Sequence, residues 1–230
     1  MGSFVPSAMA PRLLKRAHIE SGIEALGKQD ERLARFVSGQ ETRLEVFPSP
    51  PQKSAFSALA RSICSQQLST KAAATIYTRL QKAVPAENDD DTCVCPHAVS
   101  TATEEELRRV GLSQSKVRSI KDLSSRFIAG TLSDEKLAAV EDLAELEALL
   151  LDVKGIGPWT AQMFAIFFLR LPDIAVTGDL GVRKGCAKIY GLSSLPTPKV
   201  METIVESWWP HRTLGACLSW KAADLGNPRP

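Results

Sequence analysis

The feature that most constrains this chain is a short interruption. In 151-LDVKGIGPWTAQMFAIFFLR-170, two glycines and a proline separate two runs of helix-forming residues. Gly155 and Gly157 offer backbone angles closed to other residues, and neither carries a Cβ. Pro158 suits the first position of a helix, where its missing N–H costs nothing. The stretch therefore predicts a helix, a tight glycine hairpin and a second helix restarting at Pro158. A helix leaves its first backbone N–H groups without intrahelical partners, and its dipole makes that end electropositive. Such a hairpin is able to press bare N–H groups onto a phosphate. The same residues also suit a glycine-rich corner between two core helices, and a phosphate contact reads no base sequence.

The rest of the chain reads as helices. Apolar spacing predicts one or two short amphipathic helices over 17–39, two over 53–84, and one carrying the stripe Leu143, Leu146 and Leu150. Thr103 with Glu106 forms a capping-box pattern for a helix ending at Gly111, and a basic helix follows over 113–130. Three prolines forbid helix in 47-FPSPPQ-52, and 85-PAENDDDTCVCPHAV-99 reads as an exposed acidic loop. No segment alternates with period two, and there is neither a G-x-G-x-x-G fingerprint nor a Walker lysine. An all-α fold of nine or ten helices is expected, with a loose basic tail over 1–16, one domain over 17–224 and a C-terminal tail over 225–230.

Charge and cysteine usage bound the setting. The formal charge is only +2 over 230 residues, so a polyanionic partner is neither required nor excluded by the total. Five cysteines, an odd number, and the lack of a signal peptide lead to the expectation of a reducing intracellular compartment, nuclear in a eukaryote and cytoplasmic otherwise. The Cys-x-Cys of 93-CVCPH-97 has no partner pair at zinc-finger spacing. No apolar run reaches the ~18 residues of a membrane span. A myristoylation signal fails at Pro6.

Downstream of the hairpin, Asp179 stands in 176-VTGDLGVRK-184 where a helix should open. Taken singly, an aspartate there is an ordinary N-cap. Its order after hairpin, apolar helix and proline-bearing loop changes that reading. With 61-RSICSQQLSTKAAATIY-77, 110-VGLSQSKVRSIKDLS-124, 154-KGIGPWTAQM-163 and 178-GDLGVRKG-185, the chain resembles the helix–hairpin–helix DNA glycosylase superfamily, and within it the compact 3-methyladenine branch. The resemblance runs from about residue 20 to residue 221. It implies two helical lobes flanking an active-site cleft, and there is no room for the β-rich N-terminal domain of larger members.

By that resemblance Asp179 is the catalytic carboxylate, stabilising a cationic sugar as the N-glycosidic bond breaks. Members that also cut the strand place a lysine nucleophile where this chain has Trp159, so no lyase activity is implied. Lys154 lies before the hairpin and does not substitute. The iron–sulfur cysteines of the endonuclease III branch are missing, with only Cys186 and Cys217 near the C-terminus. Trp159 and Trp220 are implied walls of the pocket for the flipped base, though each also suits core packing. Met163, one turn beyond Trp159, stands where relatives carry tyrosine. In 65-SQQLS-69, Gln67 takes the wedge position that fills the gap left by the flipped nucleotide, with Ser69 near the minor groove. Gly155, Gly157, Thr160, Lys116, Arg183 and Lys184 are further implied DNA contacts, with Arg118 and Lys121 adding positive charge.

No cofactor is required by this reading. Family hairpins often hold a sodium or potassium ion on backbone carbonyls, here those of Leu151, Val153 and Ile156. The implied function is a monofunctional glycosylase releasing 3-methyladenine, 7-methylguanine and related bases in base excision repair. Its partners would be double-stranded DNA containing alkylated bases and downstream abasic-site processing enzymes, with no membrane, and the protein a monomer. The alternative is a catalytically silent helix–hairpin–helix DNA-binding module, for which Asp179 would have no use.

Overall fold

Most of the described helices in this protein start where a short polar side chain closes the first turn. Thr103 and Glu106 form a complete capping box, and Ser113, Ser133, Asp142 and Thr197 each accept a backbone N–H from the turn they open. A computed structural model of the chain describes residues 14, 16–39, 47, 54–84 and 93–225. Among these residues thirteen helices form and no β-strand does. The proline linker apart from Phe47, the acidic run before Cys93 and the last five residues lie outside the described residues, as does the basic tail apart from Leu14 and Arg16. Leu14 is buried, and its N–H donates to Arg170 O at 2.9 Å. No helix is long and apolar enough to cross a membrane, among the described residues.

The helices group into two compact units, one of Pro50–Leu169 and one of Met1–Ser49 with Arg170–Pro230. The central unit holds α3 (Ala55–Ser65), α4 (Thr70–Ala83), α5 (Pro96–Thr101), α6 (Glu104–Arg109), α7 (Gln114–Ile128), α8 (Asp134–Ala138), α9 (Leu143–Leu150) and α10 (Pro158–Phe167). Its axis is α3, buried along most of its length and packed against α4, α7, α8 and α10. The buried Ser57 hydroxyl is satisfied by Val94, accepting its N–H at 2.8 Å and donating to its carbonyl at 3.3 Å. Val94 and Cys95 are therefore core residues, and α5 begins directly after them with Pro96 at its first position. This corrects the exposed loop expected there, at least over its last residues.

The terminal unit holds α1 (Arg16–Gln29), α2 (Glu31–Ser38), α11 (Leu180–Tyr190), α12 (Pro198–Glu206) and α13 (Arg212–Asp224). Asp30 caps α2 through Oδ1 and accepts the Tyr190 hydroxyl on Oδ2 at 2.5 Å. That hydroxyl in turn accepts the indole N–H of the fully buried Trp208 at 2.9 Å. The count exceeds the expected nine or ten because α5 and α8 are too short to show an apolar period, and the 198–224 segment breaks at Pro210, which lacks a backbone N–H.

Candidate active site

The residues singled out by sequence divide between the units, and each group has its own geometry. In the terminal unit the chain reaches Asp179 along a stapled loop. Arg212 grips the Asp173 carboxylate through Nε at 2.8 Å and a second guanidinium nitrogen at 2.5 Å. The buried Thr213 hydroxyl donates to Leu171 O at 2.7 Å and accepts the Ile174 N–H at 3.0 Å. Both staples reach out from the first turn of α13, so the loop is fixed before it delivers Asp179 to the start of α11.

Asp179 is an N-cap, as its position suggested, and it is more than that. Its Oδ1 accepts the Val182 N–H at 2.9 Å and the Trp220 indole N–H at 2.8 Å. One bond comes from the helix that the residue opens and the other from α13, so the carboxylate is oriented from two directions. The close approach of α11 and α13 makes this possible. A Cβ on Gly185 would lie 1.7 Å from Ser219 O, and one on Gly181 would lie 2.7 Å from Trp220 Cδ1. The far end of α13 is tied down too: the Lys188 ammonium donates to Ala223 O at 2.9 Å and Leu225 O at 2.7 Å. A cation there also suits the negative end of the helix dipole. Arg183 spends its Nε on Pro196 O at 2.7 Å, while Lys184 is exposed.

In the central unit the hairpin joins α9 to α10. Gly155 has φ +78, and a Cβ there would meet Ser119 Oγ at 2.2 Å, so both backbone and space demand glycine. Gly157 differs from expectation. Its φ of −112 is open to any residue, and nothing lies within 4 Å of where its Cβ would be. Its carbonyl accepts the Ala161 N–H at 3.1 Å, but no packing among the described residues requires its missing side chain. Pro158 takes the first position of α10, which has no side-chain cap. The hairpin is anchored to α7 by Asp122, whose Oδ2 accepts the Lys154 N–H at 3.0 Å and Arg126 Nε at 3.1 Å. Arg126 also donates to Asp152 O at 2.5 Å. Burial alone would raise the Asp122 pKa, but these bonds outweigh it and hold the carboxyl below its usual range.

Around the hairpin, Trp159 is 43% exposed, which rules out ordinary core packing, whereas Thr160 and Met163 are buried. Ile156 and Val153 are buried, Leu151 is exposed, and Val153 O accepts the Ile156 N–H at 3.0 Å. A carbonyl has a second lone pair, so this bond does not use up the acceptor capacity of Val153 O. Gln67 is exposed and left-handed at φ +57, a conformation costing an ordinary residue about 1–3 kcal/mol. Ser69 caps α4, accepting the Ala72 N–H at 3.4 Å. The Lys116 ammonium lies on Cys64 O and Gln66 O, both at 2.8 Å, and that of Lys121 lies on Ser100 O at 2.8 Å and on Ala102 O. Arg118 is exposed. Sequence reasoning missed Gln66, Ser119, Asp122 and Arg126. Gln66 was visible only as the neighbour of Gln67, and nothing local marks the other three.

Residues 60–211 match the family described as HhH-GPD superfamily base excision DNA repair protein. The chain is 31% identical over 179 residues to DNA-3-methyladenine glycosylase 1 of Schizosaccharomyces pombe, covering 78% of this chain and 77% of that protein. The solved structure of the S. pombe 3-methyladenine DNA glycosylase Mag1 in complex with abasic DNA superposes with a TM-score of 0.77 at 28% identity, over 91% of this chain and 100% of that one. A DNA-3-methyladenine glycosidase from Bacillus halodurans gives 0.75 at 29% identity, over 90% and 89% of the two chains.

Proposed function

Because the chain belongs to the HhH-GPD superfamily of base excision DNA repair proteins, we propose that it is a monofunctional DNA glycosylase acting on alkylated purines. The observation that carries this reading is the Asp179 carboxylate, held on Oδ1 by both the Val182 N–H and the Trp220 indole N–H. A helix start needs only the first of these bonds. A second donor from another helix orients the carboxylate, which a DNA clamp would not require.

In this reading the N-glycosidic electrons leave with the alkylated purine, which departs neutral because it was already cationic. The sugar becomes an oxocarbenium-like cation, and the negative charge of Asp179 stabilises it. Water adds at C1′, its proton passes to the carboxylate or to solvent, and an abasic site remains. Trp159 supports the absence of strand cleavage, because an indole forms no Schiff base where a lysine would. Its exposed ring is able to stack on an electron-poor base, a cation–π contact of about 1–2 kcal/mol. The hairpin and the uncapped start of α10 would take a phosphate on backbone N–H groups, and the exposed Lys184 is a further cation for the DNA. A sodium or potassium ion on the Leu151, Val153 and Ile156 carbonyls would add fixed positive charge to the same turn. The partner is double-stranded DNA carrying alkylated bases, and the product is a substrate for abasic-site processing enzymes.

The test is base release from methylated duplex DNA by wild type and Asp179→Asn, with strand breaks scored before and after alkali. The expected result is methylpurine release by wild type, a loss of about 10²-fold or more in the variant with DNA binding retained, and breaks only after alkali. Binding by both proteins with release by neither would leave a DNA-binding module in place of an enzyme.

A further inference from the structure

Gln67 holds a left-handed backbone, φ +57, on an exposed turn. A non-glycine residue keeps that conformation only when its surroundings impose it. Two sets of contacts hold the segment between α3 and α4, and a third joins the same helix, α7, to the hairpin. The Lys116 ammonium donates to Cys64 O and Gln66 O, each at 2.8 Å, so it closes the carbonyl end of α3 immediately before Gln67. The Gln66 side-chain amide donates to Gly155 O at 2.7 Å and reaches Thr160 Oγ1 at 3.4 Å, crossing from the turn to both sides of the hairpin. Ser119, three residues after Lys116 on the same helix, places its hydroxyl where a Gly155 Cβ would stand, 2.2 Å from it. One face of α7 therefore touches the turn and the hairpin at once, and Gln66 ties the two directly.

We propose that Gln66 and Lys116 are positioning residues that lock the Gln67 turn to the glycine hairpin, so that the side chain entering the duplex and the backbone facing the phosphate hold a fixed spacing. Lys116 thus acts on DNA through Gln67, and two of its three N–H donors are committed to carbonyls. Burial lowers its pKa, as expected of an ammonium drawn in among backbone groups. Gln66 acts through the same turn without needing to touch DNA. The catalytic consequence rests on the glycosylase reading above. The lock itself does not.

The experiment compares wild type, Gln66→Ala, Gln66→Glu, Lys116→Met and Lys116→Arg by single-turnover excision and by amide hydrogen exchange of residues 65–69. Gln66→Ala, Gln66→Glu and Lys116→Met should slow excision about tenfold while affinity for undamaged duplex stays within about twofold. Exchange over 65–69 should quicken by about tenfold or more with α9 unchanged. Lys116→Arg, which keeps two donors for the two carbonyls, should retain most of the rate. In a Gln67→Ala background, Gln66→Ala should slow excision by less than about twofold, because its route of action has gone. Additive losses in that pair, or unchanged exchange over 65–69, would overturn the proposal. If wild type released no base, exchange would still decide the lock, and the glycosylase reading alone would fall.

Discussion

Gly155 and Gly157 are two residues apart and do different jobs. Gly155 is required from within: φ +78 and the Ser119 hydroxyl both exclude a side chain. Gly157 has an ordinary φ and open space, so only something outside the described residues could need its bareness. Gly155→Ala should lower stability by about 1–3 kcal/mol in thermal melts. Gly157→Ala should melt like wild type yet bind duplex DNA about tenfold more weakly, a loss of ~1.4 kcal/mol. Equal DNA affinity for Gly157→Ala and wild type would remove the hairpin from the interface. Trp220 invites a parallel test, since its indole N–H reaches Asp179 Oδ1 at 2.8 Å. Trp220→Phe keeps an aromatic ring and deletes the donor. Single-turnover excision should fall about tenfold, the value of one hydrogen bond to a charged group, with little change in melting temperature. The sequence marked Asp179 and Trp220 separately, but their bond spans 41 positions and no local pattern announces it.

Helix ends were readable because a cap and the turn it closes are three residues apart. Thr103–Glu106 is visible in the chain and present in the fold, and Ser113 and Asp142 close their helices at the same spacing. The ties that hold the hairpin were not readable, because their partners are remote: 32 positions for Asp122 with Lys154, and 89 for Gln66 with Gly155. Short elements escaped for another reason. Helix α8 has five residues, too few for an apolar stripe to repeat. The Asp122 tie gives a pH prediction at the scale of this element. Its carboxyl is held below the ordinary aspartate value in the fold, so the stability it contributes is fully present above about pH 4 and is lost as pH falls through the depressed value. Melts between pH 6 and pH 2 should show wild type losing stability more steeply on the acid side than Asp122→Asn. Parallel acid limbs would mean that the bond to Lys154 carries no linkage.

Over the whole chain the formal charge is +2, and several cations are committed internally. Lys116, Lys121 and Lys188 donate to backbone carbonyls, while Arg126 and Arg212 are paired with Asp122 and Asp173. Neutral backbone N–H groups at the hairpin would release few counterions. The slope of log affinity against log salt should therefore lie between about −2 and −5, equivalent to two to five neutralised phosphates. Fluorescence anisotropy between 50 and 200 mM salt measures it, and a slope near −10 would show that a broader cationic face engages DNA. The all-α class and the order of the four motifs were legible in the sequence. The grouping of helices into two units, one of them joining the two ends of the chain around a continuous stretch, was legible only through resemblance.

One contact also has a genetic meaning. The crossing of α11 and α13 leaves no room for even a methyl group at Gly185, which faces Ser219 O, and the same crossing brings Trp220 to Asp179. A survey of variants selected for survival under methylating agents should then find codon 185 as intolerant as codon 179, although what that residue presses on is the protein's own backbone. The tolerance map of this protein would trace a helix crossing, and a variant of uncertain effect there would deserve the same weight as one at the aspartate.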